Sequence, residues 1–91
     1  MILISYDISD DKLRSQFSKY IKKYGYMIQY SVYEITHSKT MLDKIRLSIV
    51  NKFEKSFREH DSVIIIQTSE VSKINKFGYA KHDDSDIIII K

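Results

Sequence analysis

Hydrophobic residues along this chain recur first at every second position and then at every third or fourth, and the exchange of periods repeats. Over residues 1–8, Ile2, Ile4, Tyr6 and Ile8 share one face and Leu3 takes the other, which predicts a strand. Ser9, Asp10 and Asp11 then signal a helix start: either Ser9 or Asp10 can cap, and acids suit the positive end of the helix dipole. Leu13, Phe17, Ile21 and Tyr24 follow at helical spacing, with Gly25 as the expected stop. Residues 26–35 are aromatic and β-branched with a period near two, so they read as extended and half-buried, as a hairpin pair or one bent strand. Caps recur at 36–40, and Leu42, Ile45, Ile49, Phe53 and Phe57 form one stripe opposite Lys44, Lys52 and Lys55, predicting a second helix that runs to Arg58. Asp61 and Ser62 turn into a strand over 63–66 that has no alternation at all. A polar connection with a short helical turn near 71–74 leads to a last strand made of Ile87, Ile88, Ile89 and Ile90.

The order is βαββαβ with one appended strand, an α+β chain of the split-βαβ kind. In such a unit both helices cover one face of an antiparallel sheet and the other face is left to water. The isoleucine runs conflict with an open face, because consecutive strand residues point alternately to both sides. Burying each isoleucine is worth roughly 1.5 to 3 kcal/mol, so the expectation is a homodimer packed sheet to sheet. The alternative is that the 63–66 run is a well-buried parallel strand inside a monomer.

Length and composition narrow the functional classes. The 91 residues contain two glycines and no proline, so nothing divides them, and residues 1–91 are expected to form a single domain. At 43% hydrophobic and 30% charged, the composition is that of a folded soluble protein, with apolar runs far short of a membrane span. Cysteine is absent, which excludes disulfides, thiolate metal sites and cysteine nucleophiles. A reducing cytoplasm is the expected setting, and no signal peptide is read at the start. The net charge of +3 is unevenly placed: residues 1–58 carry 11 Lys or Arg against 6 Asp or Glu, and residues 59–91 carry 4 against 6. A polyanionic partner should therefore meet the first part of the chain.

Asp7 is the most informative carboxylate, since it ends an apolar strand immediately before a helix. On position alone it is as readily a turn residue as a functional one. A lone carboxylate is a poor divalent-cation site, but a two-fold axis placing Asp7 beside its symmetry mate would supply two, enough with water for a hard ion such as Mg²⁺. Asp10 and Asp11 read as caps. Lys12, Arg14, Lys19, Lys22 and Lys23 give the first helix a basic exposed side, which is either a solvated face or a phosphate-contacting one. The tyrosines at 24, 26, 30 and 33 suit stacking on bases, although aromatics at strand spacing more often fill a core. His37, His60 and His82 have no metal-ligand spacing and read as surface residues.

Taken together, the strand MILISYDI, the helix start SDDKLR, the stop KKYG, the stretch QYSVYE and Asp61-Ser62-Val63 opening a later strand resemble the CRISPR-associated protein two family. The resemblance covers nearly the whole chain. Arg14 matches the family pattern, Leu13 and Met27 stand where basic residues are common, and Tyr33 replaces a customary phenylalanine. The resemblance implies a ferredoxin-like fold and a homodimer in which the C-terminal strand, residues 86–91, joins the partner's sheet. It implies that Asp7, paired across the axis, is the metal-binding and catalytic acid of Mg²⁺-dependent phosphodiester cleavage of RNA or DNA. It also implies a CRISPR adaptation role, in which the dimer bridges two copies of an integrase subunit and binds duplex DNA for spacer acquisition, a role that needs no cleavage. Beside duplex DNA, single-stranded RNA is the other nucleic-acid partner the resemblance allows, and a stand-alone toxin-like ribonuclease on the same fold is the alternative function.

Overall fold

A computed structural model describes residues 1–36 and 39–68, together with Asn75, Phe77 and Gly78. Strand β1, Ile2–Asp7, buries Ile4 and Tyr6, with Ile8 just beyond its end, and turns Leu3, Ser5 and Asp7 to the opposite side. Asp10 then caps helix α1, Asp11–Lys22, accepting a 2.8 Å hydrogen bond from the Leu13 amide through Oδ2. Its buried stripe is Leu13, Phe17 and Ile21, as the spacing predicts. Strands β2, Gly25–Gln29, and β3, Val32–Ile35, form a hairpin with a bulge between Met27 and Gln29. Helix α2, Lys39–Ser48, continues into a π-helical turn, Ile49–Phe53, and a 3-10 turn, Glu54–Ser56, before strand β4, Ser62–Gln67.

The sheet order is β2-β3-β1-β4 with every neighbour antiparallel, so β1 and β3 occupy the centre and β4 is an edge among the described residues. This is the α+β, split-βαβ arrangement. The core lies under the helices, where the Phe17 ring meets Tyr6 and Phe53 edge-on at centroid distances of 5.0 Å each. Tyr33 is fully buried there, its hydroxyl 2.7 Å from Ser18 Oγ, so this strand aromatic belongs to the core.

Two expectations change, and one alternative falls. Gly25 does not end α1 through a left-handed cap; the helix closes at Lys22 and Gly25 opens β2. A side chain there is excluded because a Cβ would fall 1.9 Å from the Glu34 carbonyl oxygen, so the glycine serves close approach of two strands. The second helix is not one regular helix to Arg58. From Ile45 onward its apolar stripe is spaced by four, and each such step on a 3.6-residue helix drifts by about 40°; the wider π turn absorbs the drift and keeps Phe53 buried. The 63–66 run is not a buried parallel strand: β4 is antiparallel, with Val63 and Ile65 packed toward the core and Ile64 and Ile66 left 56% and 44% exposed on the other face. The expected helical turn at 71–74 and the strand containing Ile87, Ile88, Ile89 and Ile90 lie outside the described residues.

Candidate functional site

Cross-strand register sets the open face row by row. Leu3 lies between Glu34 and Ile66, Ser5 between Val32 and Ile64, and Asp7 opposite Ser62. Directly opposed residues share a face, so Asp7 stands at one end of a strip whose middle is apolar. Two residues of strand separate Asp7 from Ser5, about 7 Å. Asp7 is exposed.

The acids around this end of the sheet differ in what holds them. Asp10 caps α1 and takes a 3.1 Å bond from Arg58 Nη2. Asp11 is paired with the Arg14 guanidinium. Asp61 accepts from the Ser9 amide at 2.9 Å, the Ser9 hydroxyl at 3.0 Å and the Arg58 amide at 2.8 Å. The Arg58 and Ser9 backbone N–H groups hold its carboxyl below the ordinary carboxylate range. Asp7 alone of these four has no hydrogen-bond or ion-pair partner among the described residues. The expectation that Asp10 caps is met. The clasp made by Asp61, which ties the exit of β1 to the entry of β4, is not legible in the sequence, because two of its three bonds come from Ser9, 52 residues away.

Asp7 fits an Mg²⁺ site as half of one. Among the described residues no group of three or more metal-ligating side chains occurs, and one free carboxylate with water supplies too few ligands. Its exposure and lack of internal partner leave both oxygens free for an ion shared with a second carboxylate.

The basic residues of α1 face three different surroundings. Lys12 lines a shallow depression of about 390 Å³ with Asp10, Gln16 and Arg58. Lys23 lies over the Tyr20 ring, 5.9 Å from its centroid. Arg14, Lys19 and Lys22 line a cleft of about 360 Å³ between α1 and the β2–β3 hairpin, together with Tyr6, Ser18 and Tyr30. Arg14 is also structural, donating through Nη1 to the Ile8 carbonyl at 2.9 Å. Leu13 and Met27 are committed to packing, Leu13 within the core and Met27 against it. Ile87, Ile88, Ile89 and Ile90, the expected dimer strand, lie outside the described residues. No described helix is long and apolar enough to cross a membrane.

Comparison with known proteins adds the following. A family model described as CRISPR associated protein Cas2 matches residues 1–75. A Synechocystis sp. protein named CRISPR-associated endoribonuclease Cas2 3 is 37% identical over 46 residues, and the match takes in 50% of this chain and 50% of that relative's length. Among solved structures, a hypothetical protein from Thermus thermophilus superposes with a TM-score of 0.70 at 23% identity, over 85% of this chain and 88% of that one. Streptococcus pyogenes Cas2 gives 0.61 at 19% identity, over 74% of this chain and 83% of that one. A further structure titled cas2 gives 0.62 at 21% identity, over 97% and 95%. At these identities the likeness carries the fold, which is ferredoxin-like.

Proposed function

The chain belongs to the CRISPR associated protein Cas2 family, and from that premise we propose that it works as a homodimer that bridges integrase subunits on duplex DNA during spacer acquisition, with an Mg²⁺-dependent phosphodiesterase site at the dimer axis. The observation that carries this reading is Asp7: an exposed carboxylate without a partner among the described residues, on the same open face as Leu3, Ile64 and Ile66. Two copies meeting through that face bury the exposed isoleucines; in an isologous contact only residues at the two-fold axis meet their own counterparts, and the axis of this dimer is placed beside Asp7. Asp7 of one chain then faces Asp7 of the other across the axis. The clasp from Asp61 to Ser9 and Arg58 fixes the strand end that carries Asp7. The two Asp7 carboxylates would hold Mg²⁺ there, and the ion would supply an activated water and charge stabilisation at the scissile phosphate. Ile87, Ile88, Ile89 and Ile90 are assigned to the partner's sheet edge, and Lys12, Arg14, Lys19, Lys22 and Lys23 to phosphates of the duplex, without sequence readout.

Asp7→Asn separates bridging from cleavage, since it keeps the shape of the side chain and deletes both metal-binding charges of the dimer. Metal-dependent cleavage of RNA or DNA should fall by orders of magnitude. Dimerisation, co-purification with the integrase subunit and spacer acquisition in cells should persist, because those contacts do not run through the metal. Acquisition abolished in a variant that still dimerises and still binds its partner would overturn the bridging role and make cleavage the function.

A further inference from the structure

The cleft between α1 and the β2–β3 hairpin lies on the other side of the sheet from Asp7. Tyr6 lines it, and Tyr6 and Asp7 are consecutive on β1, so their side chains point to opposite faces. Its charge is arranged for an anion. Asp11, the acid on its wall, is taken up by Arg14, whereas Lys19 and Lys22 have no ion-pair partner among the described residues. Beside Met27, hydroxyl-bearing residues line it, Tyr6, Ser15, Ser18 and Ser31, with Ser18 Oγ 2.7 Å from the buried Tyr33 hydroxyl.

Tyr30 completes the set. It is the aromatic of the hairpin turn, 69% exposed, next to Ser31, which sits in the left-handed region at φ 66° and whose carbonyl accepts from the Tyr6 amide at 3.1 Å. An exposed ring lining the cleft offers a face on which a flat group can stack. A cavity of about 360 Å³ is at the lower end of small-ligand clefts, which suits one nucleotide unit and is too small for a base pair with its backbones.

We propose that this cleft binds one unpaired nucleotide, with its base stacked on Tyr30, its phosphate between Lys19 and Lys22, and its sugar toward the Ser18 hydroxyl. The inference goes beyond the bridging reading: it shares Lys19 and Lys22 with the duplex contact but uses neither Asp7 nor the open face. The nucleotide comes either from solution or from a single-stranded stretch beside a duplex, and the two sources share the same phosphate and base.

Calorimetric titration of the full chain with adenosine 5′-monophosphate, inorganic phosphate, a single-stranded hexanucleotide and a blunt duplex tests it, with amide NMR spectra confirming that each variant is folded. The hexanucleotide should bind, and Tyr30→Ala should weaken it by roughly 5- to 150-fold, the range of one lost base–aromatic stack. Tyr30→Phe should restore most of that loss, and duplex affinity should not change with either substitution. Lys19→Gln with Lys22→Gln should flatten the salt dependence for the single strand by about 0.7 per lost phosphate contact. Monophosphate binding that falls with Tyr30→Ala identifies a free nucleotide as sufficient, and binding of the hexanucleotide without the monophosphate identifies a strand; both support the cleft. Equal single-strand affinity for wild type and folded Tyr30→Ala, or competition by inorganic phosphate as effective as that by the monophosphate, overturns it. Neither result bears on cleavage or bridging, which Asp7→Asn reads separately.

Discussion

On the helix side of the sheet Ile4, Phe17 and Tyr33 are fully buried, whereas on the other side Ile64 and Ile66 keep 56% and 44% of their surface exposed. The same strands make both sides. Strand β4 contributes Val63 and Ile65 to the first and Ile64 and Ile66 to the second, so one run of apolar residues is half used within the chain and half left over. The difference teaches that the two sides answer to different demands: the helix side to folding and, in the proposed dimer, the open side to association. The acids divide in the same way. Asp61 is occupied by three hydrogen bonds within its own chain, and Asp7 on the open face has none among the described residues.

Breaking the closed side should have the largest effect. Phe17→Ala removes a ring packed between Tyr6 and Phe53 and leaves a cavity under the helices, a change worth about 3 to 5 kcal/mol. For a chain this small that is most of the folding free energy. The denaturant midpoint should collapse at any protein concentration. A loss that disappears at high concentration would mean that the core is completed by association, and would erase the contrast between the faces.

Charging the open side should leave folding intact and act on association. Ile64→Lys with Ile66→Lys places two like charges on the strip that each copy presents to the other, so the dimer dissociation constant should rise by two or more orders of magnitude, read by sedimentation or light scattering. The folded signature of the monomer should remain, since neither side chain enters the core. An unchanged dimer would move the interface to another surface.

The fold was largely legible from residues 1–35, where local periodicity and packing agree. Leu13, Phe17 and Ile21 recur at helical spacing because one face of α1 is covered, and β1 alternates because only one of its faces is. The antiparallel sheet followed from the element order, but the unalternated 63–66 run could not reveal which of its residues face the helices, because its pairing with β1 is a contact across more than fifty residues. The π turn was hidden for a similar reason: spacing by four reads as helix, and the accumulated drift has meaning only against a core already in place. Asp7 stood out because a carboxylate ending an apolar strand is unusual anywhere. The clasp of Asp61 and the place of Tyr30 beside a cleft were not legible: Asp61 read only as a turn residue and Tyr30 as one of four tyrosines, and Ser9, Lys19 and Lys22 come near them only in the folded chain.

The smallest expected effect sharpens the contrast between the two acids. In the Ile64→Lys, Ile66→Lys background the proposed dimer should be lost, so that unfolding reports only bonds made within the chain. The folded Asp61 carboxyl is held below its ordinary value of 3.8 by the Arg58 and Ser9 N–H groups. A carboxyl whose proton affinity is lowered by folding adds stability that is fully present above its unfolded value and is lost as pH falls through the folded one. Asp61→Asn should therefore lower the denaturant midpoint at neutral pH, and the difference from Asp61 should shrink with acid and vanish once Asp61 itself is protonated. The effect is modest because the carboxylate is at the surface, where water and salt screen it. Asp7→Asn in the same background should leave the midpoint where it was at neutral pH, since no bond within the described chain depends on that carboxylate. A difference for Asp61→Asn that stays constant from acid to neutral pH would mean the clasp acts through shape and not charge. An Asp7→Asn monomer as strongly affected as Asp61→Asn would show that Asp7 has a structural partner in its own chain, and would remove the free carboxylate on which the two-chain metal site depends.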